Sequence, residues 1–240
     1  MITRKKLVFT VTLVLIISLI SGILRINSNS KFKSVINQNI DNAKIKVIID
    51  AGHGGVDGGA VAPDSTLEKD INLDIALKLN EMLKLIGAET ILTRNSDISI
   101  HSETAKTIRA KKVSDIHNRF SIIEKNPEYI FISIHQNSFS NPNYKGAQVF
   151  YSPNNAPSVD LARCIQTSLS SQLQSDNERE IKECSTDVYL VYHSKSTAVL
   201  CECGFLSNPH DLSDLKKDEY RSKVALCIFN GILDYYSSYA

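Results

Sequence analysis

Apolar and polar positions follow two alternating periodicities after about residue 45, and this pattern predicts strands that alternate with helices. Short aliphatic runs at residues 45–50, 89–94 and 129–135 predict buried strands. Between them, apolar residues recur every three or four positions over residues 67–86 and 112–126, which is typical of one face of a helix. The remaining predicted elements are strands at 148–151, 188–192 and 197–202 and helices at 158–174 and 220–235.

This order of elements is typical of an α/β fold. We predict a single domain at residues 45–240, with a mostly parallel twisted sheet and helices on both faces. Apolar residues make up 42% of the chain, enough for a buried core. The formal net charge of +1 argues against a strongly basic nucleic-acid-binding protein, and no nucleic-acid partner is expected.

The N-terminal part of the chain has a different pattern. Residues 7–24 carry no charged side chain, and three cationic side chains lie among residues 1–6. An uncharged run of this length is at the lower limit for a membrane span, because a charge in hydrocarbon is costly. We therefore predict a signal-anchor or transmembrane segment at residues 1–26 and a polar linker at residues 27–44, with a cleaved signal peptide or a buried core helix as alternatives. The domain is expected outside the cytoplasmic membrane, anchored or secreted.

Four side chains that can support chemistry lie near predicted strand ends or helix starts. His53 follows the first strand in a glycine-rich loop, Glu68 begins the first long helix, His135 ends its strand, and Glu202 ends another. Ligands of open α/β sheets bind beyond the carboxyl ends of the strands. Two imidazoles and one carboxylate with an open fourth position form the ligand set of a catalytic zinc, and a second carboxylate can take a proton from water.

Each of these side chains also has a structural interpretation. His53 fits a turn histidine, or its loop a phosphate cradle, although the glycine spacing departs from GxGxxG. Residues 65–68 match a capping box, in which Glu68 would bond back to the helix start. His135 fits a hydrogen-bonded core histidine. Glu202 interrupts an apolar run, so either a cation compensates it or it faces a cleft.

Other reactive or charged side chains are expected to be structural. Cys201 and Cys203 are predicted to pack as small apolar residues, with a Cys-x-Cys metal site or a disulfide as alternatives. Arg94, Asp97 and Arg109 are expected to be solvated charges near strand ends. The five cysteines, an odd number, permit one or two disulfides with at least one thiol left over.

Five segments carry a resemblance to a known family. KVIIDAGHGGVDGGA, LEKDINLDIALKL, ILTR, ISIHQNS and ECGFLSN, in this order, resemble the zinc-dependent N-acetylmuramoyl-L-alanine amidases of bacterial cell-wall metabolism. The resemblance covers about residues 45–236. It implies one zinc ion with ligands at His53, Glu68 and His135 and a catalytic glutamate at Glu202, which demotes the capping interpretation. KKVSDIHNRFSII and GAQVFYS are most similar to the spore-cortex members of the family, which act in the space around the developing spore.

The resemblance also implies a reaction and its partners. The expected reaction is hydrolysis of the amide between the lactyl group of N-acetylmuramic acid and L-alanine, so the expected partners are peptidoglycan and, through the N-terminal segment, the membrane. A regulatory protein partner is conceivable, but no sequence feature indicates one. The alternatives are a catalytically weak peptidoglycan-binding protein of the same fold and a zinc peptidase that cuts within the stem peptide.

Overall fold

Six strands form one sheet in the computed structural model of the protein, which describes residues 45–239. The order across the sheet is β2-β1-β3-β6-β4-β5. Four neighbouring pairs are parallel and the β4–β6 pair is antiparallel, so the sheet is mixed but mostly parallel, and the predicted α/β fold is confirmed. The strands are β1 Lys46–Ala51, β2 Glu89–Leu92, β3 Ile130–Asn137, β4 Gln148–Tyr151, β5 Lys182–Glu183 and β6 Ala198–Phe205.

Helices cover both faces of this sheet. They are α1 Glu68–Leu85, α2 Ile108–Lys125, α3 Pro157–Gln172, α4 Tyr189–His193, α5 Pro209–Leu215 and α6 Asp218–Ser238. On one face α6 packs against α1 and α3, while α2 and α4 pack together over the other. Ile48, Phe131 and Leu200 face α2 and α4 in one apolar cluster, and their strand neighbours alternate to the opposite face.

Three local predictions differ from the structure. The apolar run at 188–192 forms the short helix α4 rather than a strand, because so short a run does not distinguish the two states by periodicity. Helix α2 begins at Ile108, four residues earlier than predicted, where the Thr107 side chain accepts a hydrogen bond from the backbone of Ala110. Helix α5 was not predicted, although Asn208 caps it and Pro209 begins it.

The predicted membrane segment at residues 1–26 and the linker at residues 27–44 lie outside the described residues. Within residues 45–239, none of the helices combines the length and the apolar character that a membrane crossing requires. The structure therefore describes the predicted α/β domain alone.

The carboxyl ends of the central strands meet at one edge of the sheet. In the parallel registers, Ala51 of β1 lies beside Ile134 of β3, and His135 lies beside Glu202 of β6. The loop that follows β1 and the first turn of α1 lie at the same edge, because the backbone of Gly52 donates a hydrogen bond to the Ile134 carbonyl. Residues distant in the chain are thus brought together here.

Candidate metal centre

His53, Glu68 and His135 converge at this edge of the sheet. His53 Nε2 lies 3.2 Å from Glu68 Oε2, and His135 Nδ1 lies 2.9 Å from Glu68 Oε1. One ligand atom from each residue lies within 4.8 Å of the others, and the two imidazole rings are 4.9 Å apart at 75°. Two imidazole nitrogens and a carboxylate oxygen at these separations form a donor set that fits zinc.

The loop after β1 orients the His53 ring. His53 has a φ of 62°, an uncommon conformation for a residue other than glycine, so the fold holds its backbone under some strain. Its Nδ1 donates a hydrogen bond to Asp57 Oδ2 at 2.9 Å, which leaves Nε2 directed at Glu68. Lys112 lies 2.7 Å from the other Asp57 oxygen. A carboxylate behind a ligating imidazole is the usual way in which proteins fix its tautomer and orientation.

Glu68 is buried and its carboxylate is held from several sides. Oε2 accepts a hydrogen bond from the backbone of Ala60, and Oε1 accepts from the backbone of Gln136 and from Asn72 Nδ2. The residue before α1, Leu67, has no side-chain cap, so the capping-box interpretation of Glu68 is wrong. The bonds from Ala60 and Gln136 replace the helix-start bond that the sequence pattern suggested.

His135 faces a cavity rather than the core. Its ring lines a cavity of about 350 Å³, so the core-histidine interpretation is wrong. The ring fits only because residue 52 is glycine, since a Cβ there would lie 2.2 Å from His135 Nε2. Residue 59 must also be glycine, because a Cβ there would lie 2.5 Å from Glu68 Oε2 and its φ of +69° favours glycine.

Glu202 opens into the same cavity and differs from Glu68. Its Oε2 is buried and has no hydrogen-bond partner among the described residues. Burial, with a smaller contribution from the Glu68 charge, outweighs the attraction of the two histidines and raises the pKa of Glu202 to about 7. Of the two environments that the sequence left open for this glutamate, the structure shows the cleft.

The cavity extends from these residues to the surface between α2 and α4. Its walls combine apolar side chains with a few charges, as is usual for ligand sites. Outside the metal centre it is lined by Lys112, Ile116, Asp187, Tyr189, Leu190 and Leu200.

The charges of the centre favour a bound cation. Burial lowers the pKa of His53, but the hydrogen bonds and charges of Asp57 and Glu68 outweigh that effect and raise it to about 9. The two histidines hold the pKa of Glu68 well below its usual range, although burial alone would raise it. The carboxylates thus stabilise positive charge between them, whether it is a proton or a metal ion.

Comparison with known proteins places this geometry in a family. The sequence pattern of the N-acetylmuramoyl-L-alanine amidases matches residues 47–234. This chain belongs to the N-acetylmuramoyl-L-alanine amidase family. It is 36% identical over 191 residues to the germination-specific N-acetylmuramoyl-L-alanine amidase of Bacillus subtilis (strain 168), a match that covers 80% of this chain and 79% of that protein. The family resemblance predicted from the sequence is therefore confirmed.

Solved structures of amidases have the same fold. The CwlD amidase of Clostridioides difficile, solved in complex with the GerS lipoprotein, superposes with a TM-score of 0.77 at 42% identity, covering 80% of this chain and 98% of CwlD. The amidase AmiC2 of Nostoc punctiforme gives a TM-score of 0.69 at 28% identity, covering 80% of this chain and 97% of AmiC2. The chain is accordingly an enzyme with peptidoglycan amidase activity.

Arg94 of this amidase is a site residue that the sequence analysis misjudged. It was expected to be a solvated charge, but it is 2% exposed. Its guanidinium donates hydrogen bonds to the carbonyls of Ala51, Gly52 and Lys69 at 2.8–3.0 Å. Ala51 and Gly52 lie where β1 ends and Lys69 lies in the first turn of α1, so Arg94 joins the end of the strand to the start of the helix. Asp97 and Arg109, for which the same prediction was made, are exposed, and Asp97 forms an ion pair with Lys69 at 2.7 Å.

A buried ion pair beneath the metal centre was also missed. Arg119 donates to Asp50 Oδ1 at 2.6 Å and to the His53 carbonyl at 2.6 Å, so it joins the end of β1 to the loop that carries His53. Burial raises the pKa of Asp50, but the Arg119 charge and the hydrogen bonds from Ser133 and Thr93 lower it to about 2. The signal that could have found this pair is a carboxylate, Asp50, that ends an aliphatic strand without an adjacent partner.

The cysteines of this amidase do not form disulfides. All five are described and all are free thiols, so the disulfide alternative is wrong. Cys201 and Cys203 are fully buried on the strand beside Glu202, which confirms that they pack as small apolar residues. Burial also raises the pKa of both thiols, which keeps them protonated and poor metal ligands.

Proposed function

We propose that this amidase hydrolyses the amide bond between the lactyl group of N-acetylmuramic acid and L-alanine, with one zinc ion held by His53, Glu68 and His135. The observation that carries the proposal is the three-residue donor set, of which His53 and His135 line the same cavity as Glu202, whose Oε2 has no partner among the described residues. A metal ligand set with an adjacent carboxylate is the arrangement that metal-assisted hydrolysis requires.

Glu202 is the proposed general base and acid. Bound zinc supplies Lewis acidity, which polarises the scissile carbonyl and lowers the pKa of a water molecule. Glu202 Oε2 takes a proton from the attacking water and passes it to the amide nitrogen as the amine of L-alanine leaves. Burial raises the pKa of Glu202 above that of an ordinary glutamate, which makes its carboxylate a better proton acceptor in the first step.

Other residues act on the ligands rather than on the substrate. Asp57 holds the His53 ring, and Arg119 holds the His53 carbonyl and Asp50. Asn72 and the backbone of Gln136 hold Glu68 Oε1 in place, and the backbone of Ala60 holds Oε2. The buried Gln136 side chain donates a hydrogen bond to Asn72 Oδ1 and so supports the Asn72 amide that holds Glu68.

The biological role that we propose is cortex peptidoglycan processing in the developing spore. The germination-specific relative of Bacillus subtilis and the similarity to CwlD support it. The same comparisons support action outside the cytoplasm, where the N-terminal segment would serve as anchor or signal peptide. Because CwlD was solved with the GerS lipoprotein, we also propose that this amidase works with a protein partner.

The test uses purified protein and muropeptides. We expect wild-type protein to contain about one zinc per chain and to release stem peptides that begin with intact L-alanine. Glu202→Gln should retain zinc but lose activity by about 10³-fold, whereas His53→Ala and His135→Ala should lose both. Glu183→Gln, which changes an exposed glutamate on β5, serves as the control with normal activity.

The products also separate the alternatives. Shortened stems still attached to muramic acid would indicate a peptidase and contradict the proposal. Binding of peptidoglycan with no product under conditions of full zinc loading would indicate a binding protein of the same fold. Equal zinc content in the wild type and both histidine variants would disprove the ligand assignment.

A further inference from the structure

Two exposed aromatic rings lie together on the loop that follows β3. Phe139 is 54% exposed and Tyr144 is 47% exposed, and their rings meet edge to face at 5.1 Å. Within residues 45–239, the other strongly exposed aromatic side chain is Tyr239, near the end of the chain. Clustered exposed apolar side chains usually mark a surface that binds something.

These rings are held in place before any ligand binds. The Arg179 guanidinium lies 4.7 Å from the Phe205 ring and 5.8 Å from the Tyr144 ring, and the Tyr144 and Phe205 rings stack at 6.3 Å. The Asn208 side chain donates to the Pro142 carbonyl at 2.7 Å and so ties down the loop. We call Phe139, Tyr144, Arg179 and Phe205 the aromatic ledge. A rigid ledge costs little conformational entropy when it binds.

The aromatic ledge is linked through Gln148 to the strand position of Glu202. Gln148 of β4 pairs directly with Glu202 across the antiparallel strands, so their side chains lie on the same face of the sheet. Gln148 Oε1 accepts a hydrogen bond from Arg179 Nη1 at 3.0 Å. Phe139 is four residues beyond His135, which the chain spans in at most about 14 Å. A substrate held at Glu202 therefore has the ledge within reach.

We propose that the aromatic ledge binds a sugar of the glycan strand next to the muramic acid whose amide is cut. This inference rests on the proposed function, because a glycan strand whose muramic acid is bound in the cleft must extend beyond the cleft to its neighbouring sugars. A sugar ring has apolar C–H faces and a polar rim. The rings of Phe139 and Tyr144 can take a C–H face, while Arg179 and Gln148 can bond to hydroxyl or acetamido groups at its edge.

The size of the ledge favours a sugar over a protein. Stable protein interfaces bury about 800 Å² on each partner, which two exposed rings and one guanidinium do not provide. One sugar ring, by contrast, matches an area of this size. The ledge is also linked through Gln148 to Glu202, where the proposed substrate binds. Tyr239, the other exposed aromatic residue, lies at the end of α6 and has no such link among the described residues.

The test compares two substrates for the full chain. One is glycan strands that carry stem peptides, and the other is a muramyl peptide with no neighbouring sugar. Phe139→Ala should lower kcat/KM on the strands about threefold to tenfold and leave the muramyl peptide within about twofold. Phe139→Tyr should restore activity on the strands, because a ring returns. Tyr239→Ala, which removes an exposed and stacked ring elsewhere, should change neither rate.

Two kinetic outcomes would overturn the inference. Equal loss on both substrates would mean that Phe139 shapes the cleft rather than binds a further sugar. Unchanged kcat/KM on the strands would mean that the ring contributes nothing to glycan binding. Inactivity of the wild type on both substrates would instead reject the proposed function.

A binding measurement tests the ledge independently of catalysis. The chain contains no tryptophan, so Phe139→Trp places a single tryptophan on the ledge, which can be excited separately from the tyrosines. Peptide-free glycan strands should shift its emission, and a Tyr239→Trp control should not respond. No response at residue 139 would reject the sugar subsite. A response only to a protein partner would make the ledge a protein-docking surface and would also contradict the inference.

Discussion

Two glutamates lie next to His135, and their surroundings affect the two carboxyl groups in opposite ways. On the α1 side, Glu68 is surrounded by donors and histidines, which hold its pKa well below the usual range. On the β6 side, Glu202 Oε2 has no hydrogen-bond partner within the described chain, and burial raises its pKa to about 7. Environments that separate the pKa values of neighbouring carboxyl groups suit them to different roles, and we assign metal binding to Glu68 and proton transfer to Glu202.

The difference follows from where each residue lies. Glu68 begins a helix and accepts hydrogen bonds from the backbone amides of Ala60 and Gln136, while Glu202 lies in a strand between buried cysteines. A carboxylate that accepts several hydrogen bonds stays charged and suits a cation, whereas one without them suits proton transfer. The two glutamates are therefore not interchangeable.

The largest expected effect comes from removing the negative charge of Glu68, the glutamate on α1. Glu68→Gln should abolish zinc binding and lower amidase activity by more than about 10³-fold, because the centre loses its negative ligand. Metal analysis and stem-peptide release measure the two losses. If Glu68→Gln kept its zinc and lost only turnover, the assignment of the two glutamates would be reversed.

A clash at the strand end should have the next largest effect. Gly52→Ala would press a methyl group against the His135 ring, and a shift of about 1 Å in a ligand costs roughly 100-fold in activity. The control is Gly58→Ala, where a new Cβ meets Leu67 at an ordinary 3.5 Å. Steady-state kinetics of the two variants checks the prediction, and similar activity in both would count against it.

Loss of the carboxylate behind His53 should have a smaller effect. Asp57→Ala would free the His53 ring, so zinc affinity should fall about 10- to 100-fold. Competition with a chelator measures this affinity. Asp64→Ala removes an exposed carboxylate from the same loop region and should leave zinc affinity unchanged. Equal affinities for the two variants would show that Asp57 does not position the ligand.

The smallest predicted effect concerns stability in acid. The pKa of Asp50 in the folded protein is about 2, below its ordinary value of 3.8, so its charge stabilises the fold above pH 4. About 2 kcal/mol of the free energy of unfolding should be lost as the pH falls from about 4 to about 2. Urea unfolding of chelated protein should show this loss in the wild type and a weaker one in Asp50→Asn. Parallel pH profiles would contradict the prediction.

Sequence patterns predicted the parts of this amidase that depend on short-range periodicity or on local motifs. The strand at His135 and the helix at Glu68 follow from apolar spacing, and the structure confirms both. The bonds of Arg94 and Arg119 to backbone near His53 could not be predicted, because they join residues more than 20 positions apart. The capping motif at residues 65–68 was misleading for the same reason, because the hydrogen bond from Gln136 to Glu68 also joins residues that are distant in the chain.

Short apolar segments limited the prediction in a different way. The run that forms α4 has no decisive period, and its state depends on packing against α2. This helix forms one wall of the cavity through Tyr189 and Leu190. The wall of the proposed substrate cleft was thus harder to predict than the proposed metal ligands.

Zinc-edge X-ray absorption of the purified protein tests the proposed zinc ligands. We predict a first shell of nitrogen and oxygen atoms at about 2.0–2.2 Å with two imidazole rings in the wild type. The shell should be unchanged in Glu202→Gln. Sulfur ligands at about 2.3 Å, or fewer than two imidazole rings, would contradict the ligand assignment.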